Sequence, residues 1–250
     1  MNRALIAQHK YKAVIEENKE SHYSSSIKLC SLLARYKQTP KEGRNIIDEL
    51  EQLLDDTCIN DPFCLLLAGE LYFLDNNFEK TLKLLHDAES LECMSLKVQC
   101  YLSMNCEELA QKELQRMKKL DDDASITQLS TAWFQLYKGG TESAEALYIF
   151  QELAEKYGET SLLLNGQAAS LLHQGKFVEA EDLLHRALQL DSNDCDVLVN
   201  LVVALSHQGN SSNLTSRYMS QVLEDNPYHS FSLLVNEHSR KFDKLASSFS

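Results

Sequence analysis

Cysteine and histidine are the residue types in this sequence most able to act as nucleophiles, acid–base groups or metal ligands. The seven cysteines lie at positions 30, 58, 64, 93, 100, 106 and 195, and no two of them form a C-x-x-C pair. A structural zinc site needs four ligands, usually at short paired spacing, and this scatter does not supply them. Separated cysteines in a reducing compartment behave as small apolar residues. We therefore expect the cysteines to be structural.

The sequence also lacks the short motifs that carry catalysis or cofactor binding. The eight histidines are dispersed, and the patterns G-x-x-x-x-G-K-[ST], G-x-G-x-x-G, G-x-S-x-G and H-E-x-x-H do not occur. An enzyme would need a convergent cluster of histidine, aspartate or cysteine. We expect no enzyme activity, no catalytic residues, no metal site and no cofactor.

The composition favours helices and disfavours two classes of partner. Only 3 prolines and 8 glycines interrupt 250 residues, and good helix formers dominate. The formal net charge of -13 repels phosphate backbones and anionic lipid surfaces. No window reaches the roughly 20 apolar residues of a spanning helix, and the first ten residues do not resemble a signal peptide. The expectation is a cytoplasmic all-α protein that neither binds nucleic acid nor inserts into membranes.

Residues 161–194, SLLLNGQAASLLHQGKFVEAEDLLHRALQLDSND, form the clearest unit of an internal repeat. Their spacing predicts two helices on either side of a turn at 173–176. Small Ala168 and Ala180 fall where the helices would cross, and bulky Leu171 and Leu184 fall between them. Gly175 lies in the turn, where a positive φ costs glycine little. Tetratricopeptide repeats have this pattern and a length of about 34 residues.

The same spacing recurs in residues 62–89, 91–120, 124–157 and 195–225, with turns at Asn76-Asn77, near Asn105, at Gly139-Gly140 and at Gly209-Asn210. The alternative, an irregular helical domain, would not repeat in register. The sequence therefore predicts an all-α fold, a tetratricopeptide-like α-solenoid of antiparallel helix pairs. We expect a single array over residues 1–250, with divergent repeats at 1–59, regular repeats at 60–228 and a C-terminal capping helix at 229–250.

Both ends of the predicted array are irregular. Residues 3–18 are predicted to form the second half of a repeat. Tyr11 occupies the position of the aromatic residue that follows the turn. Residues 22–35 and 42–54 predict a further helix pair. In the capping helix, the apolar side chains of Phe231, Leu234, Phe242 and Leu245 are expected to cover the last repeat.

First helices of stacked pairs line the inner face of a solenoid, so residues one turn from the packing stripe should face a groove. These predicted groove residues are Phe63, Leu66 and Phe73, then Asn165, Ala169 and Leu172, then Val199, Asn200 and Val203. All are apolar or neutral amides, and these three first helices contain no lysine or arginine. A groove that holds a terminal carboxylate would need such cations. We expect it to hold a neutral, extended, apolar segment, unless several of these residues pack between repeats instead.

Several stretches go beyond the general repeat pattern and resemble the epsilon subunit family of coatomer. They are DAESLEC at 87–93, KELQRM at 112–117, LDDDA at 120–124, TQLSTAW at 127–133, YIFQE at 148–152, LLLNGQAA at 162–169, LVNLVV at 198–203, SRY at 216–218 and FDKL at 242–245. The resemblance runs from about residue 60 to the end. The chain departs from the family at its start, where members usually carry additional helices.

The resemblance implies a cytosolic subunit of the coat on Golgi-derived vesicles, which serves Golgi-to-endoplasmic-reticulum retrograde and intra-Golgi transport. It implies that the repeats clamp an extended segment in the C-terminal region of the coatomer alpha subunit. Through that partner the protein would join the rest of the complex and lie peripherally on Golgi membranes. The alternative is a generic tetratricopeptide adaptor or co-chaperone that binds an extended peptide, which basic groove residues would favour.

Overall fold

The structure, a computed structural model, describes residues 1–17, 24–56, 61–209 and 212–249. Within these ranges the regular secondary structure is entirely helical, which confirms the all-α prediction. The helices are α1 Asn2–Ala7, α2 Tyr11–Glu17, α3 Ser25–Gln38, α4 Gly43–Asp56, α5 Pro62–Leu74, α6 Phe78–Leu84, α7 Leu91–Ser103, α8 Glu107–Leu120, α9 Ser125–Lys138, α10 Glu142–Tyr157, α11 Ser161–His173, α12 Phe177–Leu190, α13 Cys195–Gln208, α14 Ser212–Asp225 and α15 Ser230–Ser248, with a 3-10 turn at Pro40–Glu42.

The chain forms two compact units, Met1–Ser130 and Thr131–Ser250. The single array predicted for residues 1–250 stays a prediction, as do its internal divisions. The predicted boundary at residues 59 and 60 lies outside the described residues, as do position 22 of the predicted helix 22–35, Cys58, and Asn210 of the last predicted turn. No helix in the described ranges is long and apolar enough to cross a membrane.

The five predicted repeats are helix pairs, and the turns inside four of the pairs contain a left-handed residue at the predicted position. Asn76 has φ 59°, Asn105 has φ 56°, Gly139 has φ 67° and Gly175 has φ 75°. In the fifth pair, Gly209 ends α13 with φ 67°. Glycine adopts this conformation freely, and asparagine tolerates it better than most side chains do.

The helix ends share one hydrogen-bond pattern at α1, α5, α7 and α11. The backbone N–H of Lys176 donates to the Leu171 carbonyl over 3.0 Å, and Asn77 donates to Tyr72 over 2.9 Å. This bond closes a six-residue Schellman turn, which satisfies carbonyls that the helix end leaves open. Lys10 donates to Leu5 in the same way, because His9 also has a positive φ of 58°. The turn expected before Tyr11 is therefore present, with α1 and α2 on either side of it.

The core of the first unit lies between α2, α3, α4 and α5. It is built from aliphatic side chains with no solvent exposure, including Leu29, Ile46, Leu50, Leu67 and Leu71. Each fully buried side chain of this size contributes about 1.5–3 kcal/mol through the hydrophobic effect. Helix α5 also packs against α6 and α7, so the irregular first helices and the regular repeats share a continuous packing arrangement within this unit.

The core of the second unit alternates small and large side chains along α11, α12 and α13. Ala168, Ala180, Ala187 and Ala204 have no solvent exposure, and Leu184 packs among them. Alanine at a crossing lets two helix backbones approach closely, and leucine fills the space beside it. The small and bulky positions read from the repeat are thus confirmed in this unit.

Helix α15 occupies the predicted capping segment, but only its first turn is packed. Ser232 is buried, and its hydroxyl donates to the Val222 carbonyl over 3.4 Å. Further along the helix, Leu234 is 53% exposed, Phe242 is 70% exposed and Leu245 is 62% exposed. The expectation that these three side chains cover the last repeat is wrong, because the buried residue of the helix is Ser232, in its first turn.

A buried ion pair lies within the repeat at residues 91–120, and one hydrogen bond links it to the repeat before it. The Lys97 ammonium on α7 lies 2.8 Å from the Glu113 carboxylate on α8, and their side chains are only 5% and 9% exposed. Lys97 also donates to the Ala88 carbonyl over 3.1 Å, and Arg116 donates to Glu113 over 2.9 Å. A buried charge is tolerated when it is paired and hydrogen-bonded in this way.

Replacing Lys97 by methionine should lower the free energy of unfolding by about 3–5 kcal/mol, because the Glu113 carboxylate would lose its closest cation while buried. Adding Glu113→Leu should recover more than half of that loss. Urea denaturation of the full chain measures both. Arg3→Gln serves as the control, since it breaks an exposed pair and should change stability by no more than about 0.5 kcal/mol. Equal losses of stability for Arg3→Gln and Lys97→Met would contradict the conclusion that the Lys97–Glu113 pair is buried and Lys97 is needed to compensate Glu113.

Candidate partner-binding surface

A pocket of about 270 Å³ in the first unit is lined mainly by residues of α5 and α7. Its lining residues are Arg3, Leu66, Glu70, Phe73, Leu74, Glu92, Ser95, Leu96, Gln99 and Ile126, and we call it the first-unit pocket. Two predicted groove residues, Leu66 and Phe73, lie in it. Leu66 is also 7% exposed and packs with Leu85 and Leu96, so most of its surface is part of the core. Phe63 does not line this pocket and is 37% exposed.

The charged groups of the first-unit pocket are paired within the protein. Arg3 from α1 donates to Glu92 over 3.1 Å, and Lys37 from α3 donates to Glu70 over 2.8 Å. Sequence reasoning missed Arg3, because the contact joins residues 89 positions apart and no periodic pattern reports it. The lining therefore contains charged side chains that the prediction did not include. Its cation, Arg3, is paired with the Glu92 carboxylate.

A second pocket, of about 340 Å³, lies within the second unit between α9, α10, α11 and the start of α13. Its lining residues are Trp133, Leu136, Phe150, Leu162, Asn165, Gly166, Ala169, Asp194 and Asp196, and we call it the tryptophan pocket. Two of the six groove residues predicted in this unit, Asn165 and Ala169, lie in it. Trp133 is only half-buried, while its neighbours on α9, Ala132 and Phe134, are buried.

The other predicted groove residues of this unit do not line the pocket. They lie on α11 and α13, two helices that pack against each other. The Asn200 amide donates to the Asn165 side-chain oxygen over 2.8 Å. Leu172, Val199 and Val203 are half-buried. Their partial exposure is what a binding face requires, although Leu172 also packs against the alanine-rich core.

Gly166 makes the floor of the tryptophan pocket possible. A Cβ atom built on Gly166 would lie 2.5 Å from the nearest ring carbon of Phe150, which is 1% exposed. The glycine therefore allows the Phe150 ring to lie directly against α11. Any larger residue would push the two apart.

Two aspartates at the start of α13 form the polar side of the tryptophan pocket. Asp194 caps the helix, because its Oδ1 accepts from the backbone N–H groups of Asp196 and Val197 over 3.1 and 3.3 Å. Its other oxygen accepts from the Ser161 hydroxyl over 2.7 Å. The Asp196 side chain is 74% exposed and lies 3.1 Å from His229 Nε2. Sequence reasoning missed both, though an aspartate just before an apolar run is a helix-start signal.

The cysteines of the described ranges behave as packing residues. Cys30, Cys64, Cys93 and Cys100 are buried, as predicted, while Cys106 and Cys195 are half-buried. Burial raises the pKa of the Cys100 thiol to about 12, and burial together with Asp61 raises that of Cys64 to about 11. Such thiols stay protonated near neutral pH and are weak nucleophiles. No group of three histidine, cysteine or acidic residues placed to hold a metal ion occurs in the described part of the chain.

Gly166→Ala should lower the free energy of unfolding by about 1–3 kcal/mol, because the added methyl group displaces the Phe150 ring. The loss is expected even though alanine is the better helix former by about 1 kcal/mol. In a Phe150→Leu background the same change should cost less or stabilise, since the ring that clashes is absent. A double-mutant cycle by chemical denaturation measures the coupling, and additive losses would contradict the close contact.

Comparison with known proteins identifies the family. The family model described as "Coatomer epsilon subunit" matches residues 1–250. The chain is 36% identical over 250 residues to coatomer subunit epsilon-1 of Arabidopsis thaliana, covering 100% of this chain and 84% of that protein. It is 31% identical to coatomer subunit epsilon of Dictyostelium discoideum, covering 99% and 84% of the two chains.

Solved structures show the fold independently of sequence. A tetratricopeptide repeat protein from Parabacteroides merdae superposes with a TM-score of 0.67 at 14% identity, covering 90% of this chain and 88% of that one. Tetratricopeptide-like helix pairs, the epsilon-subunit sequence match along the whole chain and the resemblance read from residues 60 onward agree. The chain belongs to the coatomer epsilon subunit family.

Proposed function

We propose that the protein is a structural subunit of the coatomer vesicle coat and has no enzymatic role. In this proposal its repeats hold an extended segment from the C-terminal region of the alpha subunit and so join it to the other subunits. It would thereby support Golgi-to-endoplasmic-reticulum retrograde and intra-Golgi transport. Family membership supports the coat assignment, and the face formed by α11 and α13 supports the mode of binding.

The observation that carries this proposal is the pair of amides on that face. The bond between Asn200 and Asn165 uses one hydrogen of Asn200 and one lone pair of Asn165. Each amide carries two donor hydrogens and two acceptor lone pairs. The amide pair can therefore both donate hydrogen bonds to the backbone of an extended segment and accept them from it. Val199 and Val203, beside the amides, would contact apolar side chains of that segment. Its bond to Asn165 also holds the Asn200 amide in one orientation before binding, which lowers the entropy cost of association.

The charge of the chain supports attachment to membranes through partners. A formal net charge of -13 disfavours direct contact with anionic lipid. We propose that the protein is cytoplasmic and reaches Golgi membranes and coated vesicles by binding the alpha subunit.

The alternative, an adaptor or co-chaperone for peptide termini, calls for unpaired cations in the groove. The one basic residue lining the first-unit pocket, Arg3, is paired with Glu92, and the tryptophan pocket has no lysine or arginine in its lining. Both arrangements favour the coat assignment over the alternative.

Tagged protein purified from its own cells should recover the coatomer alpha subunit in near-equal molar amount, as measured by mass spectrometry. Val199→Trp should reduce that recovery at least about threefold, because an indole would occupy the space of the bound segment. Val178→Trp is the matched control, since Val178 lies on α12 and is 63% exposed, and it should leave recovery unchanged.

Circular dichroism should show equal helix content and equal melting for the two tryptophan variants. Recovery of a chaperone without the alpha subunit would contradict the proposed function. Recovery of the alpha subunit that Val199→Trp does not reduce would show that a different face binds it.

A further inference from the structure

The tryptophan pocket combines an apolar wall with an unbalanced negative charge. Trp133, Leu136 and Ala169 form part of the wall, and Asp194 and Asp196 lie at the start of α13. No lysine or arginine is among the lining residues. The predicted groove was neutral because the prediction took only residues one turn from the packing stripe, which leaves out Asp194 before α13 and Asp196 in its first turn.

The two carboxylates differ in how much of their bonding capacity the protein uses. Asp194 accepts three hydrogen bonds, two from backbone N–H groups of α13 and one from Ser161, so it serves the helix start. The positive end of the helix dipole favours both carboxylates, since Asp196 lies in the first turn of α13. Asp196 makes one side-chain contact, with His229, and is 74% exposed. Asp196 is therefore the carboxylate available to a ligand.

The contact with His229 leaves the charge of Asp196 in place. His229 caps α15, and its Nδ1 accepts from the Phe231 backbone N–H over 3.3 Å. An Nδ1 that accepts carries no hydrogen, so Nε2 carries it and donates to Asp196 Oδ1 over 3.1 Å. A neutral imidazole satisfies both bonds, and no cation is needed to explain the contact.

We propose that the tryptophan pocket binds a lysine or arginine that lies next to a large apolar residue in the partner segment. The inference rests on the proposed function, because it describes the part of the alpha-subunit segment that lies on the second unit. The apolar side chain contacts the wall at Leu136 and Ala169, and the cation lies between Asp196 and Trp133.

Charge complementarity argues for this occupant over a wholly apolar one. An apolar segment would cover the Asp196 carboxylate without giving it a cation, and an ionised group loses hydration at a large cost when it is covered without an opposite charge. A basic residue supplies that opposite charge. The Trp133 ring adds attraction, since tryptophan has the most favourable face for a cation. An anionic segment would instead be repelled by both aspartates.

Trp133 also makes the pocket directly observable, because it is the only tryptophan of the chain. Two acetylated and amidated hexapeptides serve as probes, identical except that a central leucine is followed by arginine in one and by glutamate in the other. Titration of the arginine peptide into the full-length protein should change the tryptophan emission saturably. The glutamate peptide should bind at least about fivefold more weakly, and added salt should reduce the difference. Equal binding of the two peptides, or no binding of either up to millimolar concentration, would overturn the proposal.

Asp196→Asn tests the assigned carboxylate, and Asp182→Asn is the matched control with the same loss of charge at an exposed position on α12. Asp196→Asn should weaken the arginine peptide about threefold or more, while Asp182→Asn should leave its affinity unchanged. Equal effects of the two variants would mean that net charge alone attracts the peptide, and would overturn the site.

The same variants separate this inference from the proposed function. If the alpha subunit is recovered and Asp196→Asn does not reduce its recovery, the pocket assignment fails and the proposed function stands. If the arginine peptide binds as described but the alpha subunit is absent from the purified protein, the proposed function fails and the chemistry of the pocket stands.

Discussion

Close approach of neighbouring helices is the constraint on which both units depend. Where α10 meets α11, only a hydrogen at Gly166 leaves room for the Phe150 ring, and Ala168, Ala180 and Ala187 are fully buried in the same unit. In the first unit, a Cβ on Gly69 would lie 3.2 Å from the side chains of Leu85 and Leu96. Because these contacts fix the rotation of each first helix, they also decide which of its residues remain for a partner. The binding face is thus a consequence of the packing and is not an independent feature.

The sequence predicted the repeating part of the structure because each repeat is specified locally. Asn76, Asn105 and Gly175 mark their turns, since they are residue types that adopt a left-handed conformation at low cost. The turn between α1 and α2 was indicated only by the aromatic Tyr11 after it, because its left-handed residue, His9, is not a usual turn signal, yet the structure has the same six-residue turn there. Local hydrogen bonding therefore determines the turn, and the residue type only makes it easier.

The site was predicted less completely because pockets depend on contacts between distant segments. The spacing rule brought Asn165 and Asn200 to one face, and they do bond to each other. It could not assign Arg3 to a pocket formed by α5 and α7, nor Asp196 and Trp133 to another. Trp133 shows the reason. It is half-buried between the buried residues Ala132 and Phe134, so a shift of one residue along α9 changes which side chain is buried. A periodic pattern fixes the helix but leaves such a small rotation undetermined.

The exposed half of α15 has a dynamic consequence. Beyond Ser232, this helix holds its shape mainly through its own backbone hydrogen bonds and local pairs such as Lys241 with Glu237 at 2.6 Å. Helical segments without tertiary support are only marginally stable in water. Its last turns should therefore unwind and reform far more often than α11 or α13, and their amide hydrogens should exchange with deuterium earliest in the second unit. Proteases would cut there first, unless another molecule covers the apolar stripe that contains Phe242 and Leu245.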